Sequence, residues 1–91
     1  MEEKMNTSTS HEIDSVIARI SEEKMELQEK LSRLMNFMGT EKYLKLRPAH
    51  RIMLTKQADV MRQYRDILDV RYDLLTGDLL QAQINEESGN D

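Results

Sequence analysis

The chain contains no cysteine and no tryptophan, and its 91 residues hold one proline and three glycines. Without cysteine there is no disulfide framework, no thiol nucleophile and no thiolate metal site, and a reducing cytosol is the natural compartment. Aromatic residues make up only 4% of the chain. No window approaches the roughly 20 consecutive apolar residues that a membrane-spanning helix needs. Residues 1–10 lack an apolar core, so the sequence predicts neither a secretory signal nor a transit peptide there. Excess positive charge is missing as well. The formal net charge is −4, which argues against a generic nucleic-acid coat.

The chain does have charge, at 33% of positions, alongside 38% hydrophobic residues. This composition fits one small soluble domain. The charge is unevenly spread: residues 40–72 carry eight bases and four acids, and the remainder is strongly acidic. Such polarity suits assembly through opposite-sign faces, or an anion site within an acidic particle.

Apolar residues recur at Ile13, Ile17, Ile20, Leu27, Leu31, Leu34 and Met38 in 4,3 alternation, broken once, at Lys24. That period predicts an amphipathic helix from about Glu12 to Met38, with Thr9 or Ser10 placed to cap its start. Gly39 follows the last periodic residue, where a left-handed cap is easiest for a residue without Cβ. Thr40 then caps a short helical turn, Glu41 to Leu46, whose Tyr43, Leu44 and Leu46 are expected to close the end of a hairpin. Pro48 suits the first turn of a second helix, because it has no amide hydrogen to leave unpaired there.

The second helix repeats Leu54, Ala58, Met61, Leu68, Tyr72, Leu75 and Leu79, broken once, at Arg65. An adjoining strip of Met53, Val60, Tyr64, Ile67 and Leu74 makes it apolar over two faces, so one partner helix cannot cover it. Those five residues are the predicted oligomer interface. Thr76 and Gly77 are expected to end or bend the helix, with a last turn or two to Ile84. The expected class is therefore all-α: an antiparallel hairpin of two long helices with a short helical turn between them, assembled into a homo-oligomeric helical bundle. Its expected limits are a disordered segment 1–10, one hairpin domain 11–84 and an acidic disordered tail 85–91.

Lys24 lies fifteen residues before Gly39, and Arg65 seventeen after Pro48. An antiparallel hairpin brings the two gaps to roughly the same height. A buried cation must reach water, meet an acid or contact an anion. One reading is structural: Lys24 and Arg65 set register through salt bridges across chains, as polar residues at core positions do. The other makes them ligands for a phosphate or carboxylate between subunits, with Tyr64, Tyr72, Arg62 and Arg71 lining the pocket. The methionines, seven in all, read either as adaptable core packing or as an adaptable partner groove.

His11 and His50 have no second ligand at a recurring spacing, so no metal site is expected. No glycine-rich loop, nucleophile elbow or strained turn gathers the carboxylates or hydroxyls into a catalytic centre. A non-enzymatic protein without a cofactor is expected.

The series Leu31, Leu34, Phe37, Met38, then Tyr43, Leu46 and Pro48, then Leu54, Gln57, Met61, Tyr64, Leu68 and Arg71 resembles a widespread family of small bacteriophage proteins, named after a crAss-like phage member and lacking an assigned activity. The resemblance spans about Lys24 to Leu75. Gln57, Tyr64 and Arg71 are its distinctive polar members, and Arg47 stands where a small capping residue is more usual. The resemblance implies phage origin and an accessory role in the cytoplasm of the infected bacterial host. By analogy with other small phage proteins, the leading expectation is stoichiometric binding that counters host defence or redirects a host protein. The alternatives are a homo-oligomeric sponge for anionic, including cyclic, nucleotide immune signals, and a virion or scaffold component. Expected partners are further copies of the chain, with a host protein or a small anionic nucleotide, and neither membrane nor nucleic acid.

Overall fold

The computed structural model describes residues 9–88, and among them it contains helices and no strands. Helix α1 spans Ser10–Met38, α2 is the single turn Glu41–Leu44, and α3 runs over Pro48–Ser88. The predicted tail residues 89–91, and residues 1–8 of the predicted N-terminal segment, lie outside the described range.

Thr9 starts α1 through a reciprocal cap. Its side chain accepts from the Glu12 amide at 3.2 Å, and the Glu12 carboxylate accepts from the Thr9 amide at 3.2 Å. Two of the amides that no helical carbonyl can reach are satisfied in this way. Ser10, expected in the leading segment, is the first residue of the helix.

Gly39 ends α1 without entering the left-handed region expected of it, since its φ is −93°. The free carbonyls are met by tightened bonds instead: the Gly39 amide donates to Asn36, and the Thr40 amide and hydroxyl both donate to Phe37. The Thr40 hydroxyl also accepts from the Tyr43 amide, which starts α2. Tyr43 closes the hairpin tip. Its ring meets Phe37 edge-on at 6.1 Å, and its hydroxyl donates to the Arg51 carbonyl at 3.3 Å. Arg51 returns a bond to the Leu44 carbonyl. Leu44 itself is 63% exposed and does not help to close the tip as expected.

The long helices pair antiparallel. As numbers fall along α1 from Met35 through Gln28 and Lys24 to Ser10, their partners on α3 rise from Arg62 through Arg65 and Asp69 to Glu86. The buried residues are Ile13, Ile20, Leu27 and Leu31 of α1 with Ala58 and Leu68 of α3. Val16, Met61, Tyr72 and Leu75 pack around the Ile20, Leu27 and Leu68 cluster. Both 4,3 series therefore face one another, as their spacing predicts.

Helix α3 does not end at Gly77; it runs unbroken past Ile84 to reach Ser88. A helical glycine costs about 1 kcal/mol relative to alanine, too little to break a helix that is packed on both sides of it. Leu75 packs on the core before Gly77. Beyond it, Glu86 accepts from the Ser10 amide and hydroxyl at 3.0 and 2.9 Å. These bonds hold the Glu86 pKa below the ordinary carboxylate value, and they anchor residues expected to lie in the tail.

The result is a rod of 68 × 23 × 16 Å with a radius of gyration of 19.5 Å, against about 12 Å for a compact domain of this length. Its accessible surface is 7143 Å², where a compact monomer of this size exposes about 5,500 Å².

Gly77 has no left-handed φ, and nothing lies within 4 Å of a Cβ added to it. Gly77→Ala is therefore expected to stabilise the chain by about 0.5–1 kcal/mol, from helix propensity alone. Urea unfolding followed by circular dichroism measures the change, and a destabilised variant would contradict the helical, uncrowded placement of Gly77.

Candidate functional site

Successive residues of a helix point about 100° apart, and residues seven apart point nearly the same way. That spacing divides the six candidate ligand residues into two groups. Lys24, Arg62, Arg65 and Tyr72 share one side of the hairpin, while Tyr64 and Arg71 lie on the other side of α3.

On the first side, the two basic interruptions share one groove but stand about one helical turn apart along it, since Lys24 faces Asp69 and Arg65 faces Gln28. Lys24 and Arg65 line a shallow groove of about 490 Å³ with Met25, Gln28, Asp66 and Asp69. The Lys24 ammonium is 2.5 Å from an Asp69 carboxylate oxygen. It also stands 5.1 Å from the centre of the Tyr72 ring, close enough for cation–π attraction. Arg65 donates to Gln28 at 3.3 Å and pairs with Asp66 at 3.6 Å. Arg62, one turn away, donates to Asp59 at 2.9 Å and to the Met35 sulfur at 3.0 Å.

These cations are half-buried and paired within the chain. Of these ion pairs, only Lys24–Asp69 joins α1 to α3; Arg65 and Arg62 pair with acids of their own helix, and Arg65 reaches α1 through Gln28. The Lys24 and Asp69 side chains are 31% and 50% exposed, and at that exposure an ion pair contributes at most about 1 kcal/mol. An arriving phosphate can exchange with such a carboxylate at modest cost. A second groove, of about 430 Å³, is lined by Ala18, Ser21, Glu22, Met25, Glu26 and Glu29. Its carboxylates make it the wrong sign for an anion.

On the other side, the Tyr64 hydroxyl donates to the Glu23 carboxylate. That bond, then slight burial, then the negative charge of Glu23 raise the Tyr64 pKa, and Arg71 opposes them. Met53, Val60, Ile67 and Leu74, expected to be covered by neighbouring chains, are 54–62% exposed on the single chain, and Tyr64 is 39% exposed. Sequence spacing separates Tyr64 from Arg65 readily, because neighbours cannot share a helix face. It carries no trace of the Glu23–Tyr64 bond, which spans 41 residues and depends on register.

Among the described residues, no group of three or more His, Cys, Asp or Glu side chains is placed to hold a metal ion. No described helix is long and apolar enough to cross a membrane.

Because the Tyr64 hydroxyl donates to a carboxylate, removing that charge is expected to lower its pKa toward the ordinary tyrosine value of about 10. Spectroscopic titration of phenolate formation is expected to show the Tyr64 transition moving down in Glu23→Gln and disappearing in Tyr64→Phe. An unchanged titration in Glu23→Gln would break the assigned contact.

Comparison with known proteins finds no similar curated protein and no similar solved structure. The Sequestin family profile matches residues 14–74, about two thirds of the chain. That stretch contains most of both helical series and all six candidate ligand residues. The chain belongs to the Sequestin family.

Proposed function

We propose that the chain is a non-catalytic sequestering protein that assembles with copies of itself and captures a small anionic nucleotide stoichiometrically. The observation that carries this reading is the family match itself, because the family's name denotes sequestration and the matched stretch holds Lys24, Arg62, Tyr64, Arg65, Arg71 and Tyr72. In this reading a phosphate displaces Asp69 from Lys24 and Asp66 from Arg65. The guanidinium then grips two phosphate oxygens where it had held one distant carboxylate. The net change in ion pairing is small, which favours reversible capture without any covalent step.

The resemblance to small phage proteins extends the proposal to its setting. A phage accessory factor in the cytoplasm of an infected bacterium gains from removing a nucleotide immune signal by mass action, and this needs copies of the protein rather than turnover. A second reading, capture of a host protein, is favoured by Met25, which is 66% exposed at the edge of both grooves. An exposed methionine suits an adaptable protein contact.

Calorimetry and thermal shift with cyclic di- and trinucleotides and with ADP-ribose derivatives test the first reading. At a free ligand concentration of about 100 Kd, binding adds about 2.7 kcal/mol to stability, which is a shift of several degrees. Lys24→Ala and Arg65→Ala are each expected to weaken binding at least about tenfold, equivalent to 1.4 kcal/mol, while helix content is kept. If none of these nucleotides binds, the nucleotide reading fails and the protein-partner reading takes its place.

A further inference from the structure

We propose that two copies pair through α3 in antiparallel orientation, with the two-fold axis passing within about one helical turn of Tyr64. This rests on the self-assembly reading above and specifies its face and direction. It does not depend on which ligand is captured.

The exposed strip of α3 has the spacing of a second coiled-coil seam. Met53, Val60, Ile67 and Leu74 follow one another at intervals of seven, and Gln57, Tyr64 and Arg71 fall between them in 4,3 alternation. The first seam, one residue out of step, is already used by α1. The second remains open, with Met53 60%, Val60 54%, Ile67 55% and Leu74 62% exposed. Four large apolar side chains in a straight line, on a chain with surplus surface, call for a cover that is itself a helix.

Charge decides what that helix is. Read outward from Tyr64, the seam is nearly the same in both directions: Val60 then Gln57 then Met53 one way, Ile67 then Arg71 then Leu74 the other. An antiparallel copy therefore lays Met53 against Leu74, Val60 against Ile67, and Arg71 against the Gln57 amide, whose carbonyl can accept from it. A parallel copy stacks Arg71 on Arg71, and one step further Asp78 on Asp78. Like charges in a seam are destabilising, and antiparallel helix dipoles add a small opposite preference. The antiparallel pair satisfies every seam position with a residue of the same chain. An isologous contact also closes at two copies and leaves no open end. Tyr64 suits the axis because Glu23 fixes its hydroxyl, so two flat rings can meet at the crossing with their rotamers already held.

The absence of native cysteine permits a direct test. Met53→Cys and Leu74→Cys are prepared separately, both at exposed positions where the fold is not strained, then mixed and treated with a short bismaleimide. Antiparallel pairing is expected to give a cross-linked product from the mixture and none from either variant alone, since like positions then lie about 30 Å apart. Cross-linking of each variant with itself indicates parallel pairing and overturns the proposal. Sedimentation of the unmodified chain separates the remaining outcomes. An oligomer that cross-links in neither way refutes this face and leaves self-assembly standing, whereas a monomer refutes both. Val60→Glu combined with Ile67→Glu is expected to yield a helical monomer, and an unchanged assembly in that variant also overturns the proposal.

Discussion

Helix α3 carries two apolar stripes one residue out of step, and a single antiparallel neighbour can cover only one of them. Most features of the molecule follow from that constraint. Helix α1 takes the stripe through Ala58 and Leu68, leaving only six buried residues among those described. A rod with so small a core is marginal by the usual relation of buried surface to size. The other stripe keeps Val60, Ile67 and Leu74 in water. In the proposed pair, a second layer of helix covers that stripe and adds to the buried core.

The charged interruptions serve the same geometry. Lys24 and Arg65 occupy apolar positions in their stripes, yet both reach the groove edge and find acids on α3. Pairs of this kind contribute little stability at such exposure. The Lys24–Asp69 pair and the Arg65–Gln28 bond do make a slipped register costly, because both cross from α1 to α3 and a shift along α1 would break them. Weak pairing also suits an exchange of carboxylate for phosphate, so register and capture can draw on the same two cations. The Tyr64 and Arg71 group lies on the open side of α3, where the proposed second copy would bring an equivalent group close to the axis.

Periodicity made the pairing of the helices legible. The two 4,3 series name the residues that face each other, and similar distances from the turn bring Lys24 and Arg65 to one groove, about a helical turn apart. Local chemistry was less legible wherever tertiary contacts outweigh propensity. Gly77 reads as a stop, but packing at Leu75 and the Ser10–Glu86 bonds carry the helix past it. Gly39 reads as a left-handed cap, but Thr40 supplies the missing donors and no such turn is needed. The six candidate ligands read as one pocket because five of them fall within residues 62–72 and the hairpin folds Lys24 back toward Arg65. Helical rotation puts Tyr64 and Arg65 on different faces, and only the register of α1 reveals that Glu23 holds one and Gln28 the other.

The central claim is that the open stripe of α3 is covered by another copy and that this cover contributes to stability. Folding linked to association makes the melting temperature depend on protein concentration. Thermal unfolding followed by circular dichroism over a hundredfold range of concentration measures this directly. The account predicts a melting temperature that rises steadily with concentration. A reversible, cooperative transition at the same temperature throughout that range would contradict it.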